Sequence, residues 1–250
     1  MKQSGIQVPS ACLFTDFGEA GPYMGLMEAA LIRHCPDARV IRLMSDAPAF
    51  APDAAGRLLL ALVPWLPDGC ALVGVVDPGV GGARRPLLLE ADGRAYVGPD
   101  NGVFAAVARR ADKLRVWRLE TRPFRLSASF HGRDLFAPAA GAWLAGHPPL
   151  AEPVEPQTLE GWDRPLVRQE VIYIDHYGNA VTDIPGDAVA LDVELEVAGR
   201  RLERARTFSD VAPGAAFWYV DSLNRVEIAV NRGSAARLLG LDVGSPVVLV

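Results

Sequence analysis

The stretch ALVGVVDPGVGGARR, residues 71–85, decides the fold class of this chain. Its apolar first part, residues 71–76, predicts a buried strand that delivers Asp77 to its carboxyl end. One proline and three glycines then turn the backbone before Arg84 and Arg85 arrive. In open α/β sheets, ligands bind outside the carboxyl ends of the strands. The stretch therefore predicts an α/β sheet with a ligand site at its edge.

Strand-like and helix-like segments alternate on both sides of this stretch. Further strands are predicted at residues 11–14, 40–44, 87–90 and 95–97, and helices at residues 23–34, 53–65, 103–111 and 135–144. Asp92-Gly93 is a strong hairpin signal between two of the strands. Such alternation predicts a mostly parallel sheet covered by helices on both faces.

The character of the chain changes after Gly146. Residues 147–165 contain five prolines and little periodicity, which indicates a linker. Beyond it, short strands are predicted at residues 170–174, 193–197, 216–220, 225–230 and 246–250, with one helix at residues 234–239. Short strands separated by turns are typical of a small barrel or sandwich. We predict an α/β domain over residues 1–158 and an all-β, barrel-like domain over residues 159–250.

Composition argues against several classes of protein. The net charge is −5 and no basic cluster is present, so we expect no nucleic-acid partner. No apolar run approaches the roughly 18 residues that span a membrane, and the N-terminus lacks a signal-peptide pattern. We therefore expect a cytoplasmic protein without a membrane partner. Cys12, Cys35 and Cys70 have no metal-like spacing, which predicts buried free thiols.

Polar residues follow several of the predicted strands. Asp16 ends the first strand and Asp77 the third, so a parallel sheet could set both along one edge. His131 lies in the polar motif Phe-His-Gly-Arg-Asp, residues 130–134, where a ligand site is favoured over a core position. Asp100 begins Asp-Asn-Gly, which by itself favours a turn and helix cap. The motif Asp-His-Tyr-Gly-Asn, residues 175–179, fits a hairpin turn or a binding site equally well.

These motifs together resemble those of a known family. They are Thr15-Asp16-Phe17-Gly18 with Tyr23, Asp77-Pro78-Gly79-Val80-Gly81 with Arg84, Pro99-Asp100-Asn101-Gly102, residues 130–134 with Phe136-Ala137-Pro138, Asp175 with Gly178-Asn179, and Glu227-Ile228-Ala229 with Asn231, Gly233, Ser234 and Ala235. The set is similar to the S-adenosylmethionine (SAM) hydroxide adenosyltransferases, the adenosine-forming SAM hydrolases, which are related to the fluorinases and chlorinases. The resemblance runs from about Leu13 to Val250.

The resemblance implies an N-terminal α/β domain, a C-terminal β-barrel and a homotrimer. In such a trimer the substrate lies between the α/β domain of one subunit and the barrel of its neighbour. The reaction it implies is attack by water-derived hydroxide on the 5′ carbon of SAM. The leaving group is then a neutral thioether that needs no protonation, so neither a metal nor a cofactor is expected.

The resemblance also implies residue roles. The family's Asp–Arg–His set maps onto Asp77, Arg84 and His131. Implied binding residues are Asp16 for the ribose hydroxyls, Asp175 and Asn179 for the methionine part or the adenine edge, Tyr177 in place of a phenylalanine that stacks on adenine, Phe50 for the opposite aromatic wall, and Tyr23 and Ser222. The chain departs from the family pattern at Asn224, usually glycine, and at Asp183, usually asparagine.

Three alternatives are compatible with parts of this pattern. A halogenase would use the same substrate, but halogenases replace the segment at Asp77 with a hydroxyl-rich one and carry an insertion that is not found here. A metal-dependent hydrolase could use Asp16, Asp77, Asp100, His131 and Asp134, although Arg84, Arg85 and Arg133 crowd the same motifs. A non-catalytic binder of adenosyl compounds would be expected to lack the Asp–Arg–His set.

Overall fold

The computed structural model describes residues 8–121, 126–190 and 192–250. The chain forms two compact units, Met1–Gly56 with Trp65–Asp163 and Arg57–Pro64 with Arg164–Val250. We call them the N-terminal and C-terminal units. The short segment 57–64 thus belongs with the second half of the chain, which no local sequence signal indicated. The domain boundary between residues 158 and 159 stays a prediction.

The N-terminal unit alternates strands and helices up to β3. Its elements are β1 (Ser10–Thr15), α1 (Tyr23–Ile32), β2 (Arg39–Met44), the start of α2 (Pro52–Leu62), β3 (Ala71–Val75), β4 (Pro86–Ala91), β5 (Arg94–Pro99), α3 (Ala105–Arg110), β6 (Leu114–Leu119), a π-helical turn (Gly132–Phe136), α4 (Ala137–Leu144) and β7 (Ala151–Pro153). The predicted strands and helices of this half are all present, with ends that shift by a few residues. β6 and β7 were not predicted.

One seven-stranded sheet organises this unit in the order β2-β1-β3-β5-β4-β6-β7. Three of its six pairings are parallel and three are antiparallel, so the sheet is mixed and not mostly parallel. The change of direction occurs at the Asp92-Gly93 hairpin. Both turn residues have positive φ, 49° and 81°, as a two-residue hairpin turn requires.

The proline-rich stretch after Gly146 is not all linker. β7 lies within it and pairs antiparallel with β6 at the edge of the sheet. An edge strand tolerates Pro153 because the missing N–H is not needed by another strand. Because of its prolines, this stretch was predicted to be a linker, and the short strand β7 was missed.

The sheet positions the site residues through β1 and β3. These strands are parallel neighbours, and Thr15 pairs with Val75 at their carboxyl ends. Asp16 and Asp77 therefore leave the sheet side by side, as the sequence predicted. Below them the core is closed by apolar residues such as Leu13, Val73 and Phe136, all fully buried.

The described part of the C-terminal unit is strand-rich. Its elements are β8 (Val171–Ile174), β9 (Ala180–Pro185), β10 (Leu195–Val197), β11 (Arg200–Leu202), β12 (Ala216–Val220), β13 (Arg225–Val230), α5 (Ala235–Leu239) and β14 (Val248–Leu249). They form a four-stranded sheet, β12-β13-β9-β8, and a three-stranded sheet, β11-β10-β14. The core around Trp218 and Ile228 is fully buried. The all-β character was predicted, whereas β9 and β11 were missed.

The three cysteines are buried free thiols, as expected. Within the described residues, no helix is both long enough and apolar enough to cross a membrane.

Candidate active site

The turn after β3 brings Arg84 back to Asp77. The N–H of Val80 donates to the carbonyl of Asp77 at 3.2 Å, and the N–H of Gly82 to that of Gly79 at 3.0 Å. Gly81 has a φ of 78°, and a Cβ built on it would clash with the carbonyl oxygen of Ala128. Only glycine fits such a position. The glycine at position 81 is therefore required by the path of the chain.

Asp77 and Arg84 form a buried ion pair. The Nε of Arg84 lies 3.0 Å from Oδ1 and 2.8 Å from Oδ2 of Asp77, and its Nη2 lies 2.5 Å from Oδ2. Their side chains are 10% (Arg84) and 3% (Asp77) exposed. The guanidinium also lies 5.5 Å from the ring centre of Phe136, a cation–π contact. The guanidinium of Arg84 is therefore fixed by both the Asp77 carboxylate and the Phe136 ring.

His131 completes a connected set. It is the N-cap residue of the π-helical turn that leads into α4, and its Nδ1 lies 2.9 Å from Nη2 of Arg84. Because a guanidinium has only donors, Nδ1 must accept this hydrogen bond, and the neutral ring then carries its proton on Nε2. Burial, and then the charge of Arg84, hold the pKa of His131 below its ordinary value. The structure thus brings the three predicted catalytic residues together, with the histidine neutral.

Asp16 and Phe50 line the same cleft as Asp77 and His131, a space of about 120 Å³. The N–H of Phe50 donates to Oδ2 of Asp16 at 3.2 Å. Phe50 has a φ of 59°, which is unusual for a bulky residue, and 80% of it is exposed. Burial raises the pKa of Asp16. An exposed aromatic ring on a strained backbone, beside a cleft, fits a ligand-binding role.

Tyr23 lies next to this cleft without lining it. Its ring makes edge contacts with Phe17 and Phe130 at centroid distances of 6.0 Å and 5.4 Å. Both phenylalanines line the cleft, so Tyr23 supports its wall.

The other predicted binding residues lie in the C-terminal unit. Asp175, Tyr177, Asn179 and Ser222 line one cavity of about 730 Å³. Oδ1 of Asp175 accepts the N–H groups of Tyr177 and Asn179 at 2.9 Å and 2.8 Å, so the motif is a hairpin turn and also part of a cavity wall. Four further polar residues of this cavity were not predicted as site residues, namely Tyr219, Asp221, Glu227 and Arg232. The available signal was Glu227, a single acid in the otherwise apolar end of β13.

Three of the four carboxylates considered for a metal site, those of Asp77, Asp100 and Asp134, pair with arginines. Asp100 pairs with Arg85 at 2.5 Å and Asp134 with Arg133 at 2.6 Å. Asp100 also accepts the N–H of Glu160 at 2.9 Å, which makes it a brace between loops. In the part of the chain that the structure describes, no group of three or more His, Cys, Asp or Glu side chains is arranged to hold a metal ion.

Both departures from the family pattern have a structural account. Asn224 has a φ of 57°, and asparagine tolerates this left-handed conformation better than most residues other than glycine. Asp183 is buried and pairs with Arg57, which is itself 5% exposed and lies 2.5 Å from Glu170. The added charge of Asp183 is therefore balanced by an arginine 126 residues away.

Two family models match this chain, one in each half. Residues 11–152 match the family model of the SAM hydroxide adenosyltransferase N-terminal domain, and residues 169–248 match that of its C-terminal domain. Among curated relatives, the (R)-S-adenosyl-L-methionine hydrolase of Thermus thermophilus is 39% identical over 94% of this chain and 97% of its own. The protein of the same name from Salinispora tropica is 40% identical over 92% and 93%.

Two solved structures are similar to this chain over nearly its whole length. A conserved protein from Thermotoga maritima has a TM-score of 0.83 at 29% identity and covers 96% of this chain and 99% of its own. A conserved protein from Thermus thermophilus has a TM-score of 0.80 at 36% identity, over 97% of this chain and 100% of its own. The chain therefore belongs to the SAM hydroxide adenosyltransferase family.

Proposed function

We propose that this protein hydrolyses S-adenosyl-L-methionine to adenosine and L-methionine. The observation that carries the proposal is a cleft lined by Asp77 and His131 together with Asp16 and Phe50. Behind this wall, Arg84 connects Asp77 and His131 by hydrogen bonds to both. The curated relatives named (R)-S-adenosyl-L-methionine hydrolase support the proposal. In the reaction, the oxygen of water bonds to C5′ while the C5′–S bond breaks. The electron pair stays on sulfur, which leaves as a neutral thioether.

The proton of the attacking water needs an acceptor, and we assign this role to Asp77. His131 accepts from Arg84 through Nδ1, so it can donate through Nε2–H but can take a proton only after Arg84 moves away. His131 then orients the water, and Arg84 stabilises the developing hydroxide. Proton removal by a positioned base typically contributes a factor of about 10² to 10⁴. Holding the water in line with the C–S bond adds the advantage of a fixed geometry.

The binding roles of the remaining residues are part of the proposal. Asp16 presents a carboxylate suited to two ribose hydroxyls, and Phe50 presents a ring face for the adenosyl group. In the C-terminal unit, Tyr177 offers a second ring face, 74% exposed. Asn179, Asp175 and Ser222 offer polar groups around the same cavity. Tyr23 stabilises the wall of the cleft through its ring contacts.

We also propose that the two sheets of the C-terminal unit form the family's β-barrel, and that the protein is a cytoplasmic homotrimer with sites at subunit interfaces. The division of the binding residues between two separate cavities, one in each unit, supports this assembly. Mixing inactive Asp77→Ala and Asp175→Ala variants would test it. If sites combine residues of two subunits, exchanged trimers regain part of the parent turnover. Mixtures that stay inactive after demonstrated subunit exchange would contradict the shared site.

We propose that the reaction uses no metal and no cofactor. The pairing of Asp100 and Asp134 with arginines supports this over the metal-dependent alternative. The Asp77 carboxylate opposes the halogenase alternative, because it would repel a halide. Incubation with SAM, chloride and ¹⁸O-labelled water in the presence of a chelator separates these reactions. Adenosine labelled at its 5′ oxygen is expected, whereas a 5′-halogenated nucleoside, or loss of turnover with the chelator, would refute the proposal.

The third alternative, a non-catalytic binder, is tested by variants. Asp77→Ala, Arg84→Ala and His131→Ala are each expected to keep the fold and lose most adenosine release. Tight SAM binding without turnover in the parent protein would favour the binder. Near-normal turnover in purified His131→Ala would remove His131 from the mechanism.

A further inference from the structure

The turn that carries Asp77 and Arg84 passes over the end of β5. The sheet order places β5 between β3 and β4, and the turn runs from the end of β3 to the start of β4. β5 is parallel to β3 and antiparallel to β4, so it ends at the edge of the sheet where β3 ends and β4 begins. The two residues that follow β5, Asp100 and Asn101, therefore lie beside the turn. The proposed function gives them no role.

Asn101 holds the first end of the turn. Its Nδ2 donates to the carbonyl oxygen of Val76 at 2.9 Å, and Val76 directly precedes Asp77. Its Oδ1 accepts the N–H of Val103 at 3.3 Å. Because a carbonyl can only accept and an N–H can only donate, the two contacts together fix the orientation of the amide. The backbone that leads into the Asp77 carboxylate is thus attached to the end of a neighbouring strand.

Asp100 holds the second end of the turn. Its N–H donates to the carbonyl oxygen of Arg85 at 2.8 Å, and its Oδ2 accepts from Nε of Arg85 at 2.6 Å. The side chain of Asp100 is 7% exposed and that of Arg85 is 30% exposed. Arg85 also donates through Nη2 to the carbonyl oxygen of Thr158 at 2.5 Å. Since Arg85 directly follows Arg84, these contacts fix the backbone from which Arg84 reaches Asp77.

The middle of the turn is poorly suited to fixing its own ends. Residues 78, 79 and 81–83 are exposed, and the turn contains three glycines, at positions 79, 81 and 82. Glycine loses more conformational freedom on ordering than any other residue, so an ordered glycine-rich segment is entropically costly. A catalytic group that is misplaced by about 1 Å can lose about 10² in rate. The geometry of Asp77 and Arg84 therefore depends on contacts at the two ends.

We propose that Asp100 and Asn101 are positioning residues of the reaction, Asn101 for Asp77 and Asp100 for Arg84. Neither is among the described residues that line the cleft of Asp77 and His131. The pair therefore acts on the rate of the chemical step and not on the binding of the adenosyl group. The inference rests on the proposed function, because the two groups that it places are the proposed base and its arginine.

Two substitutions of Asn101 separate positioning from helix capping. Asn101→Asp keeps an oxygen for the N–H of Val103 but replaces the donor that faces Val76 with an acceptor. Asn101→Ala removes both contacts. In both variants kcat for SAM should fall by about 10- to 100-fold. The dissociation constant of S-adenosyl-L-homocysteine, which has no sulfonium leaving group, should stay at the parent value. If Asn101 is only a cap, Asn101→Asp keeps the parent kcat, and that result would overturn the proposal.

Asp92→Ala, at the opposite end of β5, is the matched control. Asp92 likewise accepts backbone N–H groups from another loop, those of Asp112 at 3.3 Å and Lys113 at 2.9 Å. The substitution should lower the melting temperature and leave kcat at the parent value, with every rate measured well below the melting temperature of the variant. An equal loss of kcat in Asp92→Ala and Asn101→Ala would show that lost stability alone slows the reaction, and the positioning role would be wrong.

The pKa of His131 reports the position of Arg84 without any turnover. Burial and the charge of Arg84 lower this pKa, and the charges of Asp77 and Asp134 raise it. If Asp100→Ala lets Arg84 withdraw from Nδ1, the pKa of His131 rises. Direct loss of the negative charge at position 100 acts in the opposite direction, so a rise reports the movement of Arg84.

NMR titration of the histidine ring protons measures this pKa, and a His131→Gln spectrum assigns the signal among the four histidines. Asp100→Asn, which removes the charge and keeps the volume, serves as the second variant if Asp100→Ala does not fold. An unchanged or lower pKa of His131 would overturn the role of Asp100.

The outcomes are separable from those for the proposed function. SAM turnover in the parent protein with an undiminished kcat in Asn101→Asp would leave the hydrolase standing and overturn the positioning role. A raised pKa of His131 in Asp100→Ala, together with a parent protein that does not hydrolyse SAM, would support the placement of Arg84 by Asp100 and overturn the hydrolase.

Discussion

Replacing Arg84 with methionine separates its structural role from its proposed catalytic role. The Asp77 carboxylate is 3% exposed, so Arg84→Met leaves a buried charge without its partner. Removal of one member of a buried pair costs about 3–5 kcal/mol of unfolding free energy. Methionine keeps a long apolar stem that can still pack on Phe136, so the loss reports mainly the missing charge. Adenosine release should fall by about 10² to 10³, as for loss of a preorganised donor.

The double variant Asp77→Asn/Arg84→Met distinguishes the two roles. Once both charges are removed, stability should return to within about 1.5 kcal/mol of the parent, because a neutral pair has little desolvation cost. Turnover should not recover, since the base and the donor are both absent. Urea denaturation measures the first quantity, and chromatographic detection of adenosine measures the second.

Arg133→Met is the matched control. Arg133 also pairs with a carboxylate, Asp134, and lies 5.1 Å from an aromatic ring centre, that of Phe130. Its side chain is 38% exposed, so the expected loss of unfolding free energy is much smaller than for Arg84→Met, and turnover is retained. The reasoning fails if the double variant is as unstable as Arg84→Met, or if Arg84→Met keeps more than a tenth of the parent turnover.

Three further predictions concern other parts of the molecule. Turnover should fall as the pH decreases through a midpoint below 6.5. The reason is that the pKa of His131 is lowered and that a protonated Nδ1 cannot accept a hydrogen bond from Arg84. A pH–rate profile with a higher midpoint would contradict this. Arg57→Met should cost about 3–5 kcal/mol in urea denaturation but less in an Asp183→Asn background, and additive costs would argue against the buried pair. Phe50→Gly should relieve about 1 kcal/mol of backbone strain and raise the melting temperature, while KM for SAM rises; Phe50→Ala should raise KM without the gain in stability.

Local patterns predicted the edge of the sheet correctly because they depend on neighbours in sequence. An apolar run followed by Asp77 and a glycine turn is sufficient to place that carboxylate at the end of a buried strand. Arg84 is only seven residues away, and the turn returns it to Asp77. The polar motif at residues 130–134 also marked His131 as a candidate, and the family resemblance then grouped it with Asp77 and Arg84. The tautomer of His131 could not be predicted, since it depends on which nitrogen meets Arg84 in three dimensions.

The missed features depend on distant partners. β9 contains Asp183 in its middle. A charged residue interrupts the apolar pattern that predicts a buried strand, and only its pairing with Arg57, which is distant in sequence, explains its burial. β7 is three residues long and ends in proline, so only its pairing with β6 makes it a strand. Glu227 presents the same difficulty, since its burial is understood only together with Tyr219 and Asp221.

The charges of the proposed catalytic set, Asp77, Arg84 and His131, favour water over an anion as the nucleophile. Asp77 and Arg84 cancel each other, and His131 is neutral because burial and Arg84 lower its pKa. The set as a whole therefore carries no net charge that would attract a halide, and its carboxylate would repel one at short range. Water is uncharged, so the carboxylate does not repel it. Water also has a proton to lose, for which Asp77 is the proposed acceptor, whereas a halide has none. A substitution that removes the negative charge and leaves Arg84 in place, Asp77→Ser, is accordingly the change most able to admit chloride. Detection of 5′-chloro-5′-deoxyadenosine from this variant, against none from the parent, would show that the charge at position 77 selects the nucleophile.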